Sequence, residues 1–147
     1  MGVSVWTSGR DDARTGLTIS SVLVAEGSPS IVAGLMNETT DLYESIHDSG
    51  GFVVHLLREE DRIIADRFAG LRPSPGGLFV GIDVENGDRG PVMIAFPNRA
   101  HCRYVGTTRA GYQELVMGEI ERIELDDLVD PLIYFRGRYR ELKPGRD

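Results

Sequence analysis

Helical periodicity is confined to two stretches of this chain, residues 40–49 and 59–69, while the segments before and after them alternate or run apolar as strands do. That distribution excludes a doubly wound α/β fold, which needs a helix after its later strands as well. It predicts a mostly β chain, an antiparallel sheet closed or nearly closed on itself and carrying a few helices.

The strands can be placed by composition and turn chemistry. Residues 3–7 alternate Val3, Val5 and Thr7 with polar and aromatic neighbours, and residues 9–14 form a polar hairpin loop. In residues 16–24, Leu17 and Ile19 face apolar surroundings while Thr18 and Ser20 share the opposite face. Further strands are expected at 31–36, 52–57, 100–108, 112–125, 132–135 and 138–140. A helix should begin near residue 40, where Asp41 and Glu44 have capping-box spacing, and end at Gly50-Gly51. The second opens on Glu59-Glu60-Asp61 and stops at Gly70. Residues 72–91 hold many Pro and Gly and read as a long excursion with one short strand at 78–82. Gly118 suggests a bulge in the strand that carries it.

A length of 147 residues predicts a single domain over residues 1–147. With 16 Lys and Arg against 23 Asp and Glu the net charge is −7, which disfavours nucleic acid and anionic membrane as partners. No run approaches the ~20 apolar residues of a spanning helix, and Trp6 breaks the myristoylation pattern that Gly2 begins. The single cysteine, Cys102, can form no internal disulfide and fits a small buried thiol in a reducing, cytoplasmic setting. His47, His55 and His101 lack ligand spacing, so no metal is expected. His47 reads as a surface residue and His55 as a hydrogen-bonded structural histidine. No nucleophile elbow, phosphate loop or dinucleotide fingerprint is present, and no catalytic acid or base stands out.

Two polar groupings remain. Asn37, Thr39 and Thr40 lie at a strand-to-helix junction, where free helix N–H groups favour an anion, although N-capping alone also accounts for them. The Thr18, Ser20 and Ser21 hydroxyls could meet the polar edge of a flat heterocycle, although spacing alone favours a solvated strand face.

Several segments, taken in order, change that balance: residues 2–7 (GVSVWT), 16–21 (GLTISS), 52–57 (FVVHLL) followed by an acidic helix ending in RFAG at 67–70, GPV at 90–92, and 131–139 (PLIYFRGRY). Together they resemble the flavin reductase-like family of FMN-binding split β-barrels, over nearly the whole chain. The resemblance implies an antiparallel Greek-key split β-barrel and a homodimer with flavin near the subunit interface. It implies that Thr18, Ser20 and Ser21 meet the isoalloxazine and ribityl region, that Asn37, Thr39 and Thr40 take the phosphate, and that Arg67 is a further cofactor-binding candidate. The flavin would be FMN, with FAD or riboflavin as alternatives. The implied activity is hydride transfer from NADH or NADPH to flavin, supplying reduced flavin to a partner monooxygenase. The cofactor carries that chemistry, so a protein acid or base is not required.

The chain also departs from the family pattern. Gly111-Tyr112-Gln113 stands where Gly-Asp-His is common on the nicotinamide side, which leaves open a flavin-binding module without reductase turnover. Thr39-Thr40-Asp41-Leu42 replaces serines followed by Thr, with Asp41 able to repel a phosphate, and His55 stands where Asn is usual. The sequence starts within the first strand rather than with a helix, so a partner subunit is expected to complete the pocket. A barrel without flavin, serving interaction or structure, is the third reading.

Overall fold

Every residue of the first strand, β1 (Ser4–Ser8), is buried, because both of its faces are covered. Trp6 points to one side and Val3 and Val5 to the other, into separate apolar clusters. The computed structural model describes residues 1–142. β1 is flanked by β2 (Thr15–Ile19) and β5 (Gly51–Leu56), and the sheet continues through β8 (Arg99–Ala110), β9 (Gln113–Glu124) and β4 (Ile31–Met36) to β3 (Leu23–Ala25). All six pairings are antiparallel, as expected for the split barrel. The non-consecutive neighbours β1 with β5 and β4 with β9 give the Greek-key order.

The sheet curls until its ends meet, but no ladder joins β2 to β4. The seam is crossed instead by a side chain: Ser21 Oγ accepts a hydrogen bond from the Leu35 N–H at 2.9 Å. Inside the barrel Trp6 and Phe52 stack with centroids 4.4 Å apart and planes 2° from parallel. Two glycines make room for that pair. A Cβ on Gly34 would lie 2.7 Å from Trp6, and one on Gly118 would lie 2.5 Å from Phe52. Gly118 serves a close approach, and the strand that carries it is bulged, as expected. The ladder of β8 and β9 slips at Val105, next to the residue facing Gly118, and again at Glu121.

The helix α1 (Asp41–Ser49) carries the chain from β4 to β5 and seats Leu42 and Ile46 on the barrel core. Thr40 caps its start by accepting the Tyr43 N–H at 3.2 Å, and Gly50 ends it at φ +80°. A 3-10 turn, Glu59–Asp61, leads into α2 (Arg62–Phe68), whose Ala65 and Phe68 join the outer cluster with Val3 and Val5. Both helices lie where the sequence places them.

The excursion at 72–91 differs from expectation. Residues 78–82 form turns rather than a strand, because Gly76, Gly77 and Gly81 at φ +89°, +103° and +73° bend the backbone out of extended geometry on both sides of Phe79. Strands occur later, as the hairpin of β6 (Val84–Asn86) and β7 (Pro91–Met93). A last hairpin, β10 (Ile133–Phe135) with β11 (Arg138–Arg140), closes the described chain.

Candidate functional site

The seam between β2 and β4 positions the first group of predicted site residues. β2 ends at Ile19, and Ser20 and Ser21 follow outside any ladder on the way to β3. Ser20 is half-buried, and its hydroxyl has no hydrogen-bond partner among the described residues. Ser21 is spent on Leu35 across the seam. That bond sets the chain just after β2 against the last residues of β4 before Asn37, so the serines and the strand-to-helix junction are neighbours.

The junction is organised by its own side chains. Asn37 Oδ1 accepts the Thr39 N–H at 2.9 Å and the Thr39 hydroxyl at 2.8 Å. The Thr40 hydroxyl donates to the Asn37 carbonyl at 2.9 Å while capping α1. Asn37 and Thr39 are exposed and Thr40 half-buried, leaving the first N–H groups of α1 without intrahelical partners at a positive dipole end. The rest of α1 is held against β8: His47 Nδ1 donates to the Tyr43 carbonyl at 2.7 Å and Nε2 accepts from the Tyr104 hydroxyl at 2.9 Å. His47 is thus exposed, as expected, yet fixed.

Thr18 and Arg67 belong to a second group on the α2 side. The Thr18 hydroxyl donates to the Ala65 carbonyl at 2.6 Å, which pins α2 to β2. Arg67 Nη1 donates to the carbonyls of Leu78 and Val80 at 3.2 and 2.8 Å, holding the excursion loop. Between α1, the start of β2 and this loop runs a groove of about 1030 Å³. None of the seven predicted side chains lines it, but Asp41, beside Thr40, and the Arg67-held Leu78 and Val80 do. Its wall carries Asp11, Asp12, Asp41, Glu44 and Asp48 against Arg10 and Arg14. So acidic a wall repels a phosphate from the groove, and Asp41 and Glu44 of the first turn of α1 belong to it.

One cation reaches the junction that sequence reading missed. Arg109, at the end of β8, stands opposite Glu114 in the hairpin register, and its Nη1 lies 3.1 Å from Glu114 and 3.7 Å from Glu38. The pairing with Glu114 was legible, since the two-residue turn Gly111-Tyr112 places the residues opposite each other. The contact with Glu38 joins segments 71 positions apart and leaves no local signal.

The remaining ionisable groups have structural partners. His55 is fully buried, with Nδ1–H donating to the Val5 carbonyl at 3.2 Å and Nε2 accepting the Met93 N–H at 3.0 Å. Burial pushes its pKa down to about 3, so the ring is neutral. Cys102 is buried, and burial pushes its thiol up to about 12, away from nucleophile chemistry. His101, Arg99 and Arg122 surround Glu124 and hold its carboxyl far below the usual range, chiefly through the Arg99 hydrogen bond. Among the described residues no three His, Cys, Asp or Glu side chains gather as metal ligands would.

A seamed antiparallel barrel is the fold the resemblance implied, and a family model described as the flavin reductase like domain matches residues 1–143. The chain belongs to the flavin reductase-like family. Among its family relatives, the reductase component of 4-hydroxyphenylacetate 3-monooxygenase from Thermus thermophilus is 30% identical over 141 residues, covering 96% of this chain and 88% of the relative. The NADH-dependent FMN reductase AsuE2 of Streptomyces nodosus subsp. asukaensis is 28% identical over 149 residues, covering 97% and 78%. Among solved structures, the flavin reductase PheA2 superposes with a TM-score of 0.86 at 26% identity, over 97% of this chain and 90% of that one. The split-barrel architecture expected from the sequence is therefore the family's fold.

Proposed function

We propose that this flavin reductase-like protein takes a hydride from NADH or NADPH onto a bound flavin and supplies the reduced flavin to a monooxygenase. The observation that carries the reading is the match to the family over residues 1–143, joined to a free Ser20 hydroxyl beside a helix start that is open to an anion. The donor set suits FMN: one unpartnered hydroxyl and a stretch of backbone outside any ladder for a heterocycle edge, and N–H groups at a positive helix end for a phosphate. When bound, the flavin supplies the two-electron acceptor.

In this reading Ser20, with the backbone of residues 20–22, meets the heterocycle, and Ser21 holds the seam that keeps it in place. Asn37, Thr39 and Thr40 shape the turn that presents the first N–H groups of α1 to the phosphate. Thr18 and Arg67 act as positioning residues, fixing α2 and the loop that walls the groove. The chain works as a homodimer in the cytoplasm. The edge strand β3, exposed along its whole length with Leu23 and Val24 each more than 60% accessible, supports a covering second subunit. No helix among the described residues is long and apolar enough to cross a membrane.

The test is consumption of NADH and of NADPH by the purified protein with FMN, FAD or riboflavin in air. Flavin-dependent consumption well above the protein-free rate is expected, and consumption at the protein-free rate would refute the activity. The second reading, flavin binding without turnover, is favoured by Tyr112, 93% exposed at the hairpin tip, and by Gln113, the two positions that depart from the Gly-Asp-His pattern of the resemblance. Flavin binding without nicotinamide consumption would select it.

A further inference from the structure

The β8–β9 hairpin brings a guanidinium to the α1 junction that no part of the flavin reading uses. Arg109 Nε donates to the Gly111 carbonyl at 3.0 Å and Nη1 to Glu114 Oε1 at 3.1 Å, so two bonds fix the plane of the group. Nη2 has no partner among the described residues. Glu114 pairs with Met36 in the β4–β9 ladder, one residue before Asn37, so backbone hydrogen bonding rather than a flexible arm holds this hairpin end against the junction. The same Nη1 lies 3.7 Å from Glu38, the residue between Asn37 and Thr39.

A counter-ion for the nearly buried Glu114 carboxylate accounts for one of these contacts, because an unpaired charge there would be costly. It does not account for a half-exposed guanidinium that also reaches into the junction and keeps one amino group free. A planar, fixed guanidinium is the side chain best suited to phosphate oxygens. Resting on the flavin reading above, we propose that Arg109 is a ligand-binding residue that takes the flavin phosphate through Nη2. Glu38 is the carboxylate that competes with that phosphate for the guanidinium. The pair then selects phosphorylated flavins over riboflavin.

Titration of intact protein with FMN and with riboflavin, followed by flavin fluorescence, reads this out. The variants are E38Q, which leaves Glu114 paired, and R109Q/E114Q, which removes the guanidinium without stranding a buried carboxylate. Wild type should bind FMN more tightly than riboflavin. R109Q/E114Q should lose roughly 10-fold in FMN affinity, about one charge-assisted hydrogen bond, with riboflavin unchanged. E38Q should tighten FMN alone. Equal affinity of wild type for the two flavins, equal weakening of both in R109Q/E114Q, or unchanged FMN binding in that variant overturns the proposal while the flavin reading stands. Binding of neither flavin by wild type overturns the flavin reading itself.

Discussion

Burial holds the His55 ring neutral between two backbone partners, and this makes stability depend on pH. Its folded pKa of about 3 lies below the ordinary value of 6.5, so the unfolded chain binds the proton that the folded chain refuses. The contribution is complete above the unfolded pKa and declines as pH falls toward the folded one, at about 1.4 kcal/mol per pH unit for one proton. Asn offers one donor and one acceptor and does not titrate. His55→Asn should therefore flatten the fall in unfolding free energy between neutral pH and the ordinary carboxylate value of 4.5, below which Glu124 of the unfolded chain takes up a proton and adds its own slope. Urea denaturation across that range checks this, and an unchanged slope would show that His55 is not the group responsible. The two hydroxyls that the sequence grouped on one strand face should also separate. Thr18→Val should cost about 0.5–1.5 kcal/mol of stability by removing one of the two hydrogen bonds to the Ala65 carbonyl, which keeps the Ala69 N–H, whereas Ser20→Ala should weaken flavin binding and leave stability nearly unchanged. Periodicity made the hydroxyls visible, but not what holds them. Ala65 meets Thr18 on β2 and Leu35 meets Ser21 just beyond it, from helix and strand segments whose packing no local pattern encodes.

Element geometry rests on how tightly the strands close around Trp6 and Phe52. Gly118→Ala would put a methyl group 2.5 Å from the Phe52 ring in a core with no spare volume. Overpacking of this kind costs typically 1–3 kcal/mol, and thermal or denaturant unfolding should show that loss. A smaller companion substitution, Phe52→Leu, should recover part of it. If Gly118→Ala proves neutral, the stacked pair is not what the glycine accommodates. The two helices were legible because each carries its own signals, a cap at one end and glycine at the other. The excursion was not, since an apolar run such as residues 78–82 reads as a strand until the positive φ of the flanking glycines is known. Gly118 marked a bulged strand correctly, but its close approach to the Phe52 ring was not legible, since only the position of Phe52 shows it.

At the scale of the whole molecule, the net charge of −7 gathers in part on the groove wall, which shares Asp41 and Glu44 with the first turn of α1, so acidic side chains and free helix N–H groups meet at one helix end. The exposed apolar edge at β3 predicts that light scattering coupled to gel filtration will give twice the mass of one chain, and a monomer at micromolar concentration would contradict the proposed homodimer. Fold class followed from the placement of two helical stretches, and the family from the order of short segments. The site was legible only as separate hydroxyl clusters, because the seam bond from Ser21 to Leu35 and the reach of Arg109 to Glu38 exist only once distant strands have paired. The central claim is that this barrel holds a flavin where a dihydronicotinamide can reduce it. Anaerobic mixing of the protein and FMN with NADH, followed by the loss of flavin absorbance, measures that transfer without an added electron acceptor. The account predicts bleaching whose initial rate rises in proportion to protein concentration, and bleaching no faster than in protein-free FMN would contradict it.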